Sequence, residues 1–158
     1  MLDGNYDKKS LKDYVVEIVR GKIKTLDFYR NFTLEASRDV KKTSKYDSIR
    51  EEIQEELYHL DRQMATLQLL SKDLKKLPVT RSERVQLGSI VITSKARFYI
   101  SVSLGEFFLE KDRFYAISPE SPMAKTLLGK VEGEEFTLNG IFQRIEKIYE
   151  KILLGEQE

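Results

Sequence analysis

The sequence contains no cysteine, no tryptophan and a single histidine, His59, among its 158 residues. Without cysteine the chain has no disulfide framework and no thiolate zinc site, and one histidine excludes a multi-histidine metal site. The glycine patterns GxGxxG and GxxxxGK(S/T) and the nucleophile pattern GxSxG are absent as well. These absences remove the most familiar catalytic sites, so the sequence predicts a protein that is not an enzyme by itself.

Long apolar runs are also missing. No segment approaches the roughly 20 apolar residues that a membrane-spanning helix needs, and Met1–Tyr14 lacks the apolar core of a signal peptide. We therefore expect a soluble cytoplasmic protein with no membrane partner. The net charge of +1 indicates no general affinity for nucleic acid. Charged residues make up 34%, above the roughly 25% of ordinary domains, which predicts an elongated and well-solvated element.

Glycine and proline are scarce in the first half of the chain. Before Pro78 only Gly4 and Gly21 occur, and the other six of the eight glycines and the other two of the three prolines follow it. Because these residues mark turns and interrupt helices, their distribution predicts a helical segment at 1–78 and a strand-and-turn segment at 79–158.

An apolar seam with coiled-coil spacing runs through the second half of the helical segment. Its members follow one another at steps of three and four residues, which is the period of a helix that packs against a partner helix. Pro78 marks its end. His59 lies beside the seam, and we expect an ordinary helix residue there rather than a catalytic base. The seam consists of Ile49, Ile53, Leu57, Leu60, Met64, Leu67, Leu70, Leu74 and Leu77.

A rougher apolar stripe upstream predicts the first arm of a helical hairpin. We expect the free protein to be monomeric. Between the stripes, Ser37–Lys45 has no apolar repeat and carries good capping residues, so we expect the hairpin turn there. Thr43 or Ser44 is the expected N-cap of the second helix. The upstream stripe consists of Leu11, Val15, Ile18, Leu26, Tyr29 and Phe32, and Lys22 and Thr25 interrupt it.

Short β-branched and aromatic runs after Pro78 predict an antiparallel meander. A last hairpin turns at Asn139-Gly140, a strong signal for a type I′ turn. The predicted fold class is therefore α+β, with an N-terminal antiparallel coiled-coil hairpin followed by a small antiparallel β domain with one short helix. The predicted strands cover 89–93, 98–103, 107–109, 114–117, 135–138 and 142–148, and the helix covers 123–129.

The stretch Ile117–Phe136 resembles the C-terminal domain of the Gre family of transcript-cleavage factors, the GreA/GreB-like proteins. Its sequence, ISPESPMAKTLLGKVEGEEF, is similar to the family pattern ISxxSPxxxALLGKxxGDE. Val85–Ser89 also matches the VxxGS pattern with which the first strand of that domain begins. The resemblance covers most of the chain, and it implies a coiled-coil hairpin followed by an FKBP-like β domain.

The resemblance also implies bacterial RNA polymerase as the partner. In Gre-type factors the hairpin enters the secondary channel of the polymerase, and the β domain holds the rim of that channel. The Ser-Pro loop belongs to the docking surface, which implies docking roles for Ser118, Glu120, Ser121 and Pro122 in this chain. The resemblance therefore implies a regulator of transcription elongation or initiation. Such a regulator at most assists the polymerase's own RNA cleavage.

The hairpin tip departs from the family pattern. Gre factors carry a GDLKENAEY motif, whose two acidic residues help to hold a second Mg²⁺ at the polymerase active site. Asp39 matches the first acid, Lys42 replaces the second, and Thr43 replaces the asparagine. Glu35 lies one helical turn before Asp39 on the same face and is the weak candidate for a second ligand, beside Asp39, so no metal site is firmly predicted.

Cations dominate the tip, because Arg38, Lys41, Lys42 and Lys45 surround the one carboxylate of Asp39. Such a tip is attracted to the metal-holding aspartates of the polymerase, or to the phosphates of nascent RNA and nucleoside triphosphates. We therefore expect modulation of transcription in preference to strong cleavage stimulation. We expect no cofactor of its own, and at most a Mg²⁺ that is shared with the polymerase.

Two other hypotheses stay open. A coiled-coil adaptor with another partner, or a homodimer through the seam, also fits the helical segment. An FKBP-type prolyl isomerase is the other alternative, since that fold carries an aromatic-lined pocket. The aromatic residues available for such a pocket are Phe98, Tyr99, Phe107, Phe108, Phe114 and Tyr115.

Overall fold

A computed structural model describes residues 6–40 and 42–149. Two long helices come first, α1 at Lys8–Arg38 and α2 at Asp47–Lys75, with a short 3₁₀ turn at Ser44–Tyr46 between them. Strands and one short helix follow, which confirms the predicted α+β class. These elements are β1 at Ile90–Thr93, β2 at Arg97–Ile100, β3 at Gly105–Leu109, β4 at Asp112–Ile117, α3 at Pro122–Leu127, β5 at Glu135–Leu138 and β6 at Ile141–Tyr149.

The contacts divide the chain into two compact units. Residues 16–72 form the helical unit, and the described residues up to Val15 and from Asp73 onward form the sheet unit. The beginning of α1 and the end of α2 therefore belong to the sheet unit. The predicted division between residues 78 and 79 stays a prediction.

Within the helical unit, the two helices form an antiparallel pair along the predicted seam of α2. Leu57 and Leu60 are buried, and Met64 and Leu67 are half-buried. Ile49, at the first turn of α2, is 46% exposed and lies outside this contact. The three-and-four spacing thus located most of the packed face of α2 correctly.

The predicted stripe of α1 is wrong in its second half. Tyr29 and Phe32 are 48% and 63% exposed, whereas Leu26 and Arg30 are half-buried. Arg30 takes the inward position because its guanidinium pairs with Asp61 of α2, and its aliphatic stem can cover the helix contact. With Arg30 turned inward, the 3.6-residue period carries Tyr29 and Phe32 toward solvent.

The strands form one six-stranded sheet in the order β3-β4-β2-β1-β6-β5. All neighbouring pairs are antiparallel except β2 and β4, which run parallel. The predicted antiparallel meander is wrong at this pair. The tight turn after β3 pairs β3 with β4, and β4 lies beside β2, so β3 becomes an edge strand. An FKBP-like topology stays a prediction.

Alternating side chains of the sheet pack on two opposite faces. One face carries Phe98 and Ile100 in a core with α3, which contributes Ala124 and Leu127. On the other face, Phe114 stacks on Phe107 at 5.3 Å between ring centroids. The ring of Tyr6, just before α1, meets Phe114 and Tyr149 edge-on at 4.9 and 5.1 Å. Tyr6 is thus part of the sheet unit's core.

Two lysines in the first turns of α1 satisfy carbonyl oxygens at and after the end of α2. Lys12 Nζ donates to the carbonyls of Lys75 and Leu77 at 3.1 and 2.8 Å. Lys8 Nζ donates to the carbonyl of Thr80 at 2.6 Å, and Lys8 is only 1% exposed. The last carbonyls of a helix lack intrahelical donors and form the negative end of its dipole, so ammonium groups suit this position.

Gly88 connects the segment after α2 to the sheet. Its φ is +93°, and its amide donates to the carbonyl of Ile100 at 2.7 Å. A Cβ at this position would collide with the carbonyl oxygen of Pro78. Glycine is therefore required here both by the backbone angle and by the close approach.

We predict that Gly88→Ala lowers the free energy of unfolding by about 2–4 kcal/mol, because it combines a left-handed alanine with a backbone collision. Gly21→Ala is the matched control, since nothing lies within 4 Å of an added Cβ in the middle of α1. It should raise stability by about 0.5–1 kcal/mol. Urea unfolding of the two variants measures both effects, and equal effects would contradict the packing at Gly88.

A second prediction concerns alkaline pH. Burial and the hydrogen bond to Asp112, 2.7 Å from the hydroxyl, raise the pKa of Tyr6 to about 12. Because the pKa of Tyr6 is higher in the folded than in the unfolded chain, protonated Tyr6 stabilises the fold below pH 10. This contribution to the free energy of unfolding is lost as the pH rises toward 12. Tyr6→Phe removes the titrating group. The stability difference between wild type and Tyr6→Phe should therefore shrink from pH 9 to pH 12 in urea unfolding experiments, and a constant difference would contradict it.

Candidate functional site

The tip of the hairpin is a short, internally bonded turn. Asp39 donates its amide to the carbonyl of Ala36 at 3.2 Å, and Tyr46 donates to the carbonyl of Thr43 at 3.0 Å. Arg50, in the first turns of α2, donates to the same Thr43 carbonyl at 3.1 Å. The turn lies where the sequence predicted it. The predicted N-cap of α2 is wrong, because α2 begins at Asp47, whereas Thr43 immediately precedes the 3₁₀ turn at Ser44–Tyr46 and Ser44 begins that turn.

The charged side chains of the tip point to solvent. Arg38, Asp39, Lys42 and Lys45 are all exposed. Lys45 Nζ lies 5.7 Å from the ring centroid of Tyr46. Lys41, the remaining predicted tip cation, lies outside the described residues. Three described cations thus share one short turn with the carboxylate of Asp39.

The donor set at the tip does not fit a resident Mg²⁺ ion. Asp39 and Glu35 are exposed carboxylates one helical turn apart, with Arg38 beside Asp39. The nearby carboxylate of Asp47 already pairs with Arg50. Across residues 6–40 and 42–149, no group of three or more potential ligands is close enough to hold a metal. Two carboxylates among cations offer less than the oxygen cage that a protein-held cation requires.

An open groove of about 1020 Å³ lies beside the tip, on the helical unit. Its lining combines cations of the tip with carboxylates and an aromatic ring of α2, and these acidic residues were not identified from the sequence as part of a site. Their position could have been found from the i, i+4 spacing of Glu51 and Glu55, which puts both on one face of α2. The groove is lined mainly by Arg38, Lys42, Asp47, Arg50, Glu51, Glu55 and Tyr58.

The predicted docking loop begins the short helix α3. Ser121 is its N-cap, since its Oγ accepts the amide of Ala124 at 3.2 Å. Ser118 accepts the amide of Ser121 at 3.0 Å through its carbonyl, and Pro122 occupies the first turn. Ser121 and Pro122 therefore have local structural roles. Glu120 is exposed, which leaves its carboxylate available to a partner.

The aromatic residues considered for an isomerase pocket do not line one common surface. Phe98 and Tyr115 are in contact at 6.0 Å on the face that carries α3. Tyr99 is 1% exposed and points to the opposite face, and Phe107 and Phe114 stack on each other within the core. Of the remaining candidates, Phe108 is 48% exposed. Phe98, Tyr99, Phe107 and Phe114 are thus core residues, and the six rings are divided between the two faces of the sheet, which does not favour a prolyl isomerase site.

The predicted sites fall into two groups. Glu35, Asp39, Lys42 and Lys45 belong to the helical unit, and the docking loop at 118–122 belongs to the sheet unit. His59 is exposed on α2, in contact with the ring of Tyr58, as expected for an ordinary helix residue. Among the residues described, no helix combines the length and apolar character of a membrane span.

Among known proteins, the chain is similar to solved structures but not to a family model. No protein-family model matches the chain, and no curated protein matches it significantly. A solved structure described as that of the transcription factor Gfh1 matches 92% of this chain and 95% of its own chain, at 20% identity. The TM-score is 0.31. At this identity and TM-score, the function of that protein is not assigned to this chain.

Proposed function

We propose that the chain is a regulator that binds bacterial RNA polymerase, with its helical hairpin in the secondary channel and its β domain on the channel rim. The observation that carries the proposal is the tip, where helices of 31 and 29 residues are joined by a turn with exposed Arg38, Lys42 and Lys45. The resemblance of Ile117–Phe136 to the Gre C-terminal domain supports the same partner.

Electrostatic attraction is the proposed action of the tip. Lysine ammonium groups are compact point charges, and the arginine fork suits carboxylates and phosphates. The anions at a polymerase active centre are the metal-holding aspartates and the phosphates of RNA and nucleoside triphosphates. A tip with Lys42 and Lys45 exposed binds such groups and obstructs the channel. Asp39 is a single acid among cations, so the proposed outcome is modulation of initiation or elongation, without strong stimulation of RNA cleavage.

The β domain contributes a second contact in this proposal. Glu120 is the exposed acid of the loop that begins α3, and a rim contact of this kind is suited to a basic partner surface. Ser121 supports the contact indirectly, because its cap fixes the direction in which the loop enters α3. The proposal thus assigns anchoring to the β domain and modulation to the tip.

We predict that Lys42→Glu combined with Lys45→Glu weakens the effect on transcription by about tenfold, because it replaces attraction to the active-centre anions with repulsion. The measurement is the protein concentration that gives half of the maximal effect on abortive and run-off synthesis by purified polymerase. Lys72→Glu is the matched control, since Lys72 is an exposed lysine elsewhere on α2. An equal loss in Lys72→Glu would contradict a role specific to the tip.

The same assay separates modulation from cleavage. On a backtracked elongation complex, the wild-type protein should give little RNA cleavage above that of polymerase alone. Strong cleavage that disappears in Asp39→Ala would show instead that Asp39 helps to hold a catalytic metal. A failure of polymerase to bind the full-length chain at all would favour an adaptor with another partner.

A further prediction concerns docking. Glu120→Lys should weaken binding to immobilised polymerase by roughly 3- to 10-fold, because it reverses an exposed rim charge. Glu135→Lys, an exposed acid on β5, is the control and should bind as the wild type does. Ser121→Ala should instead lower the free energy of unfolding by about 1 kcal/mol through loss of the cap. If Glu120→Lys and Glu135→Lys bind equally well, the loop is not the docking surface.

A further inference from the structure

The outer face of α1 carries two large exposed aromatic side chains. Phe28 and Phe32 are 73% and 63% exposed and lie one helical turn apart, so they share a face. Neither ring contributes to the packing of the hairpin. Adjacent exposed phenylalanines are unfavourable in water unless something covers them, and such a patch marks a contact surface.

Charges of opposite sign flank this pair along the same face. Lys24 lies one turn before Phe28, and Glu35 lies one turn after Phe32. Both are exposed. At 100° per residue, Lys24 and Glu35 lie within roughly 40° of the direction of Phe28. The face therefore presents, in order, a cation, two phenyl rings and an anion.

We propose that this face binds a second copy of the chain, with the two α1 helices antiparallel. Around a two-fold axis near position 30, Lys24 of one copy faces Glu35 of the other. Phe28 of one copy packs beside Phe32 of the other, and the reverse pairs follow by symmetry. A parallel pair would place lysine beside lysine and glutamate beside glutamate, so the charges favour the antiparallel arrangement.

The expected association is weak. Four phenyl rings and their neighbours cover only part of the roughly 1,000 Å² that a stable interface buries. Exposed ion pairs add little to affinity but select orientation. The dimer therefore forms at micromolar to millimolar concentration and leaves a monomer at lower concentration. It uses the outer face of α1 rather than the seam, and it does not depend on polymerase binding.

Sedimentation velocity of the full chain, from about 1 µM to about 1 mM, tests the proposal. The weight-average mass of the wild type should rise toward that of a dimer, whereas Phe28→Ser combined with Phe32→Ser should remain monomeric. Tyr58→Ser is the matched control, since Tyr58 is an aromatic residue of α2 with 60% exposure, and it should associate as the wild type does. Helical content by circular dichroism verifies that each variant is folded.

Charge exchange tests the orientation. Lys24→Glu alone and Glu35→Lys alone should each raise the dissociation constant roughly 3- to 10-fold, because each change turns both symmetry-related attractive pairs into repulsive ones. The double variant with both changes should recover wild-type association, because each antiparallel pair is restored with its signs exchanged. A double variant as weak as the single ones would overturn the antiparallel arrangement. A wild type that stays monomeric throughout, or one whose association is lost in Tyr58→Ser, would overturn the proposed surface.

This result is separable from polymerase binding. Polymerase capture by the wild type and by the variant that combines Phe28→Ser with Phe32→Ser is measured below the dissociation constant of the dimer. If this variant loses self-association but is captured normally by polymerase, the face binds the second copy and is not needed for polymerase binding. If Phe28→Ser with Phe32→Ser abolishes capture and the wild type never associates with itself, the patch is covered by polymerase and the proposed dimer is wrong.

Discussion

The contact between two lysines of α1 and the carbonyl oxygens that follow α2 is the constraint on which the hairpin depends. Burying an ammonium group is costly unless its donors are satisfied, and the end of a helix offers several unpaired carbonyls in one place. Lys12 uses the carbonyl of Lys75 at the end of α2 and that of Leu77 just after it, and the buried Lys8 uses the carbonyl of Thr80 in the segment that follows. The first turns of α1 and the last turn of α2 are thereby held together inside the sheet unit, which sets the register of the two arms at their base.

Local sequence patterns predicted the elements that depend on the spacing of nearby residues or on the residues of one turn. The seam of α2 follows from its three-and-four spacing, and the Asn139-Gly140 turn has the two positive φ angles, 54° and 78°, of a type I′ turn. The parallel pairing of β2 with β4 was missed, because alternation within a strand identifies its buried face but not its neighbour. The burial of Lys8 was missed for a related reason, since its acceptor, the carbonyl of Thr80, lies 72 residues away along the chain.

The sequence predicted the positions of the candidate sites better than the roles of their residues. The tip falls where the apolar repeat stops, and its cations are exposed because nothing apolar is present there to bury. The roles of Asp39 and Glu120 depend on a partner, so they stay proposals. In α1, placing Tyr29 and Phe32 in the packed stripe assumed that aromatic residues face inward. Arg30 occupies that position instead, because Asp61 supplies its partner across the hairpin.

A two-helix unit leaves most of its surface free from the requirements of folding. Each helix hides one stripe, and the helical period puts Phe28 about 200° away from the half-buried Leu26. The packing of the hairpin therefore leaves the outer face free, and Phe28 and Phe32 are exposed there. Under the proposed function the hairpin enters a narrow channel, so any second copy has to dissociate first. The weak, charge-directed dimer proposed above is compatible with that requirement, because it covers the phenyl rings at high protein concentration and leaves a monomer at low concentration.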